Sequence, residues 1–297
     1  MYPAPFSYHR AGSLNEAAAM LRDLGEGAKL LAGGQSLIPL MKLRLARPQH
    51  LIDLNFIPDL SYTRRANGGF AVGPLARHGD IAESEAGRAI PILHDCGAGI
   101  ADVQVRNWGT LAGSLAEADP TGDWAPVLLA LDAKVHCAGP GGKRMIPVPE
   151  FIQDAFVTAL APDEVISQIV IQHPAPGSGG AYIAFKRCAP VYATAAVAVQ
   201  LTLADGVCSD ARIFLGAIGL MAIEVGEAAN ELRGNRIDEA TAARAAEAAM
   251  AVADPAGDVR GSAEFKRAMI GSLARQAILV AARRAGGENV EVSHRYA

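Results

Sequence analysis

Apolar side chains between residues 15 and 24 recur at helical spacing, with Ser13 or Asn15 as the N-cap and Gly25 and Gly27 at the end. Short apolar runs at 29–32 and 51–54 predict strands, so the opening residues read as a β/α/β unit. Asn67-Gly68-Gly69 marks a turn into an antiparallel strand at 70–73. Helices are predicted over 78–83, 91–99 and 123–131, the last with Pro126 in its first turn. Residues 134–138 and 144–148 read as strands about the turn Gly139-Pro140-Gly141-Gly142. Strands follow at 193–203 and 211–215, separated by Asp205-Gly206, and long helices at 237–253 and 264–285.

Pro174-Ala175-Pro176-Gly177-Ser178-Gly179-Gly180 combines proline restraint with glycine flexibility and marks a domain boundary. The expected class is α+β. A first domain would cover 1–175, with room for two α/β subdomains, and a smaller α+β domain 180–290. The polar tail 286–297 is expected at the periphery.

Composition narrows this picture. With 297 residues, 51% hydrophobic and 20% charged, the chain can bury a substantial core, which excludes disorder throughout. Only 5% of residues are aromatic, so alanine and aliphatic side chains must carry much of the packing. A net charge of −4 gives no reason for a general nucleic-acid surface. Cys96, Cys137, Cys188 and Cys208 are too far apart for a CxxC site. Without a tight Cys/His cluster, no zinc or iron–sulfur centre is expected in this chain. The four read as buried thiols in a reducing compartment. Neither a signal core nor an uninterrupted membrane-length apolar run is present in the sequence, and a soluble cytoplasmic protein is the expectation.

Two glycine-rich stretches carry candidate chemistry. In Ala32-Gly33-Gly34-Gln35-Ser36, adjacent glycines permit positive φ and a close approach of amide N–H groups to a ligand, and Ser36 adds a hydroxyl. A diphosphate needs such donors. The stretch is neither GxxxxGK[ST] nor GxGxxG, which argues against a P-loop or Rossmann unit, and a tight structural turn explains the same residues. The second stretch runs from Asn107 to Asp123. Gly109, Thr110, Ala112, Gly113 and Ser114 can present another curved peptide surface, with Asp119-Pro120 and Asp123 beside it. Asp123 can accept from a ribose or ribitol hydroxyl, or cap the helix that follows; composition alone favours the cap.

Here a family resemblance becomes specific. Residues 32–45, AGGQSLIPLMKLRL, resemble the first flavin loop of the medium FAD-binding subunit of the molybdenum hydroxylases, the xanthine dehydrogenase and carbon monoxide dehydrogenase type. Val105-Arg106-Asn107-Trp108-Gly109-Thr110, then Gly113-Ser114 and Asp119-Pro120, resemble its second loop. Residues 258–267, DVRGSAEFKR, resemble a third marker, in the C-terminal domain. Similarity in kind and order spans roughly residues 4 to 285. The resemblance implies an FAD-binding domain of the vanillyl-alcohol-oxidase type, followed by the family's flavoprotein C-terminal domain. It implies that Ala32, Gly33, Gly34, Gln35, Ser36 and Leu37 wrap the FAD diphosphate. Thr110, Gly113 and Ser114 would contact the diphosphate or the flavin-side linker, and Asp123 a ribitol or ribose hydroxyl. Lys186 would be a flavin-side cation and Tyr192 an aromatic neighbour of the isoalloxazine.

Some positions depart from the family pattern. Ala112 stands where glycine is usual, which strains the loop if φ is positive there and costs little otherwise. Pro190-Val191-Tyr192 replaces an acidic residue with tyrosine. Met221-Ala222 lacks the usual proline, an effect expected to stay within C-terminal packing. Among single residues, Lys42 and Arg44 flank the first loop and would meet phosphate or a partner, or be surface charge on a β segment, the reading favoured for Arg44. Arg106 would order the second loop or form an ion pair. Trp108 would be a packing anchor behind it, and His78 and His94 surface or packing residues. Arg260 would stabilise the C-terminal domain.

The implied function is electron transfer. A molybdenum-binding large subunit would act on the substrate, and a small subunit would carry two [2Fe–2S] clusters. FAD held here would pass the electrons to an external acceptor, in a dimer of heterotrimers without a transmembrane segment, cytoplasmic or held at the inner membrane through partners. No catalytic triad or metal ligand is needed in this chain. Two alternatives are an autonomous FAD oxidoreductase and a non-catalytic assembly subunit that has lost FAD.

Overall fold

The structure is a computed structural model that describes residues 2–188 and 191–293. The opening unit is a three-stranded parallel sheet, with His50–Asp53 between Ser7–Arg10 and Ala28–Leu31. Helix Leu14–Leu24 crosses between the first two strands in sequence. Ser13, not Asn15, caps it, accepting from the Glu16 N–H. Ala17, Ala18 and Leu21 form its buried face and pack with Ile52 and Leu54 in a small separate core.

Next comes a five-stranded antiparallel sheet in the order Thr63–Ala66, Gly69–Val72, Val165–Gln172, Lys134–Gly139, Gly142–Pro147. Asn67 and Gly68 have φ of 43° and 79°, the left-handed pair that closes a two-residue hairpin. The central strand, Val165–Gln172, has no counterpart in the sequence pattern reading. It pairs with neighbours from distant parts of the chain, so no local turn announces it. Helices His78–Glu83, Pro91–Gly99, Leu111–Glu117 and Trp124–Ala130 contribute to the core that this sheet shares.

The last sheet orders Ser178–Phe185, Ala195–Ala204, Val207–Gly216 and Ile223–Glu224, all antiparallel. Strand side chains alternate between faces. Ala181, Val197, Val199, Ile213 and Leu215 join one core, with helices Gly226–Leu232, Glu239–Val252 and Ala263–Ala285. Tyr182, Ala196, Ala198 and Phe214 belong to the core of the preceding sheet. The helical face is tight because it is built from small residues, as the low aromatic content required. Ala242, Ala245, Ala249, Ala274, Ala277 and Ala281 are buried there, and any side chain at Gly179 would collide with the Ala281 carbonyl.

The second face of this sheet therefore forms a shared core with residues before 174, and two buried ion pairs cross the same junction. Arg284 grips Asp95 through two hydrogen bonds, 2.6 and 2.9 Å, and also bonds the carbonyls of Gly180 and Val290. Lys186 meets Asp123 at 3.0 Å. Both carboxylates are buried. Truncating one member of such a pair strands the other charge. Asp95→Ala should therefore lower unfolding free energy by about 3–5 kcal/mol in urea titrations. A loss below about 1 kcal/mol would show that Arg284 reaches water when unpaired.

His78 and Trp124 tie the helices behind the second glycine-rich stretch. The Trp124 indole N–H donates to His78 Nδ1 at 2.9 Å, and both residues are buried. Burial, with Arg77, Lys186 and Arg106 nearby, pushes the His78 pKa down to about 3. An unfolded His78 takes its proton near 6.5, so below that pH the unfolded state binds more protons than the folded one. Stability contributed by neutral His78 is complete above pH 6.5 and declines as the pH falls toward 3. His78→Gln, which does not titrate, should shrink the loss of urea midpoint between about pH 7 and about pH 5; an unchanged loss would assign the acid sensitivity to other groups.

Candidate FAD site

The strand Ala28–Leu31 runs directly into the first glycine-rich stretch, which ends at the short helix Leu37–Lys42. Gly34 has φ of 72°, and a Cβ there would lie 2.7 Å from Ile38, so the turn requires glycine. Gly33 is constrained differently. Any side chain on it would collide with the Trp108 carbonyl and press on Gly109. The two stretches are thus in backbone contact. Among the described residues, no group accepts a hydrogen bond from the main-chain N–H of Gly33, Gly34, Gln35, Ser36 or Leu37. Gln35 is exposed, and Ser36, at the N-cap position, makes no side-chain cap bond. Lys42 ends a helix rather than lying on a β segment, and Arg44 follows it with φ of 59°.

The second stretch is more helical than its glycines suggested. Helix Val103–Trp108, capped by Asp102, leads to an extended Gly109, and Leu111–Glu117 is again helical. Thr110 is buried and caps that helix, its Oγ1 accepting from Gly113 N–H at 3.0 Å. Ala112 lies inside the helix and outside the positive-φ set, so its methyl group carries no strain. Gly109 is needed, since a Cβ would lie 2.5 Å from His78 Nε2. Trp108 is 57% exposed and is not a packing anchor; Trp124 fills that role. Arg106 bonds the carbonyls of Ile100 and Ala101, both at 2.9 Å. Ser114 lines a small cleft with Asp119, Gly122, Pro126, Leu220 and Met221. The missing proline at Met221-Ala222 therefore lies beside the second stretch and is not confined to C-terminal packing.

Asp123 does not cap the helix that follows it. Its carboxylate accepts from the Tyr182 hydroxyl at 2.7 Å and pairs with Lys186, whose Nζ also donates to the Gly99 carbonyl at 2.8 Å. Tyr182 and Lys186 are four residues apart, which puts them on one face of an extended chain. That spacing was the available signal for Tyr182, which the motif reading left out. Burial first, and then Asp123, raise the Tyr182 pKa well above its usual value, so the phenol remains a donor. Tyr192 is half exposed. Its phenol is pushed up by burial first, with Asp119, Glu117 and Asp123 adding negative potential and the Ser36 hydroxyl opposing. The fold thus brings Tyr192 to the first stretch and to the acids of the second. Pro190 lies outside the described residues.

The third marker sits behind this segment. Asp258 pairs with Arg260 and Lys266, whose hydrogen bonds outweigh burial and hold its carboxyl below the usual range. Arg260 also donates to the Ala193 carbonyl, and Arg187 to that of Val259, so the marker braces the chain on both sides of Tyr192. Cys96, Cys137 and Cys208 are buried, but Cys188 in the same segment is exposed, contrary to the expected four buried thiols.

Asn55 and Arg77 were not singled out by the motifs. The Asn55 side chain donates to the Ala32 carbonyl at 2.8 Å and to Asp53, whose other oxygen accepts from Tyr8 at 2.6 Å. Arg77 donates to Asn55 Oδ1 at 2.6 Å and to the Trp108 carbonyl. Among the described residues Arg77 forms no ion pair; both its acceptors are neutral. Unmatched amides on the first stretch near a guanidinium without a counter-ion suit the diphosphate of FAD.

Comparison with known proteins agrees with this geometry. Residues 4–174 match the FAD binding domain in molybdopterin dehydrogenase, and residues 180–281 the CO dehydrogenase flavoprotein C-terminal domain. The chain is 38% identical over 279 residues to the carbon monoxide dehydrogenase medium chain of Afipia carboxidovorans, covering 94% of this chain and 97% of that one. It is 37% identical over 296 residues to the 6-hydroxypseudooxynicotine dehydrogenase complex subunit alpha of Paenarthrobacter nicotinovorans, covering 99% and 100%. A carbon monoxide dehydrogenase structure from Hydrogenophaga pseudoflava superposes with a TM-score of 0.91 at 38% identity, over 96% of this chain and 99% of that one. Two glycine-rich stretches in contact, and a C-terminal sheet that carries Tyr182 and Lys186 to Asp123, are thus the framework of a chain that belongs to the FAD-binding medium subunits of the molybdenum hydroxylases.

Proposed function

We propose that the chain is the electron-transfer subunit of a dimer of heterotrimers, and that it binds FAD between its two glycine-rich stretches, Lys186 and Tyr192. The observation that carries this reading is the unmatched amide run at Gly33, Gly34, Gln35, Ser36 and Leu37, held against Trp108 and Gly109. Bound FAD supplies the ability to accept electrons singly from the [2Fe–2S] clusters of a small subunit and release them in pairs to an external acceptor. A molybdenum-binding large subunit carries the substrate pocket. No helix among the described residues is long and apolar enough to cross a membrane, and we place the assembly in the cytoplasm, with any membrane contact made through partners.

Each residue then has a physical task. Amides from Gly33 through Leu37 replace the hydration of the diphosphate, and Ala32 gives the loop its anchor through the Asn55 bond. Thr110 and Gly113 start a helix beside them, and Ser114 offers its hydroxyl at the adjoining cleft. Asp123 accepts from polyol hydroxyls, its carboxylate being paired with Lys186 and oriented by Tyr182. Lys186 places positive charge on the flavin side, and Tyr192 offers an aromatic face at the open edge.

Gly33→Val would part the two stretches. FAD affinity should fall at least about tenfold, or about 1.4 kcal/mol, in reconstitution of FAD-free protein followed by flavin fluorescence. Equal losses of thermal midpoint with and without FAD would instead make Gly33 a structural turn alone. Purification of the native assembly should yield stoichiometric flavin absorption together with molybdenum and iron. Native mass spectrometry would check the subunit count, and substrate turnover by the isolated chain would overturn the electron-transfer assignment.

A further inference from the structure

Asn55 and Arg77 form a bridge between the two glycine-rich stretches. On one side Asn55 holds the Ala32 carbonyl at 2.8 Å, just before Gly33. On the other, Arg77 holds the Trp108 carbonyl, just before Gly109. The two side chains meet at 2.6 Å. Asp53 fixes the Asn55 end, accepting from its backbone N–H at 2.8 Å and its side-chain amide at 2.7 Å. The Arg77 end is fixed by its backbone, since Arg77 pairs with Thr110 in an isolated antiparallel bridge and the neighbouring His78 N–H donates to the Gly109 carbonyl.

Two features suggest more than a structural tie. The Trp108 carbonyl that Arg77 holds is the group that a side chain at Gly33 would strike, so the bridge acts where the stretches touch. The guanidinium is half-buried yet bonded only to neutral acceptors. Burying a cation without a counter-ion is unfavourable, and burial is the leading cause of the lowered Arg77 pKa. An anion bound beside it recovers that cost. Asp80, on the following helix, and Asp53, beyond Asn55, add negative potential, but neither forms an ion pair with Arg77.

We propose that Asn55 and Arg77 are positioning residues for FAD, setting the spacing of the two stretches and holding a positive charge behind the site of the diphosphate. This rests on the FAD reading above. Neither residue need touch the flavin ring. Their effect should fall on diphosphate binding, and the two should act as one unit.

The test is a double-mutant cycle on the full chain, stripped of FAD and titrated with FAD and, separately, with ADP. The variants are Asn55→Ala, Arg77→Lys and the pair. Arg77→Lys keeps the charge and preserves folding while losing the planar fork that reaches two acceptors. Each single variant should weaken FAD and ADP alike by about tenfold or more. The double variant should be no more than about twofold weaker than the worse single, because the bridge is already broken. The thermal midpoint of the FAD-free variants reports structural loss separately, and visible circular dichroism reports the setting of the bound flavin. FAD and ADP affinities within about twofold of wild type in both folded single variants would overturn the proposal, as would fully additive losses. A wild-type chain that takes up no FAD would instead remove the FAD reading itself, and the bridge's role with it.

Discussion

The main chain at Gly33 lies directly against the main chain at Trp108 and Gly109, and the site depends on that contact. No side chain can be inserted there without moving backbone. The approach joins the two stretches into one surface, with the unmatched amides of the first lying beside the second. It also explains why adjacent glycines are required for different reasons. Gly34 supplies a left-handed turn, and Gly33 supplies clearance.

Around this contact the structure layers its restraints. Asn55 and Arg77 hold the carbonyls that flank it, and His78 and Trp124 hold the helices behind it. From the other side the C-terminal sheet delivers Tyr182, Lys186 and Tyr192. The junction is a packed sheet face crossed by two buried ion pairs, Asp95–Arg284 and Asp123–Lys186. Such a junction suits a site shared between two regions of chain, because it limits their relative motion. The third marker extends the same logic, with Arg260 bracing the segment before Ala195–Ala204 rather than reaching the loops itself.

Much of the scaffold could be read locally. The Ser13 cap, the Asn67-Gly68 and Asp205-Gly206 turns and the long alanine-rich helices all carry strong short-range signals. Failures came where the signal is not local. Leu111–Glu117 contains glycine, and its helicity depends on the Thr110 cap and on burial of Leu111 and Leu115. Trp108 and Trp124 differ in burial because of what packs on them, which residue type does not reveal. Asp123 stands where a cap would stand, but Lys186 and Tyr182 claim its carboxylate from some sixty residues away.

The 297-residue sequence alone determined the α+β class, two ordered glycine-rich stretches whose family resemblance implies flavin binding, and scattered cysteines without a cluster motif. Those properties reside in residue type and spacing. Tertiary structure alone decided that the two glycine-rich stretches touch, that Asn55 and Arg77 join them, and that the two sheets share a core. These are pairings between distant segments, and hydrogen bonds and steric clearance of that kind exist only once the chain has folded.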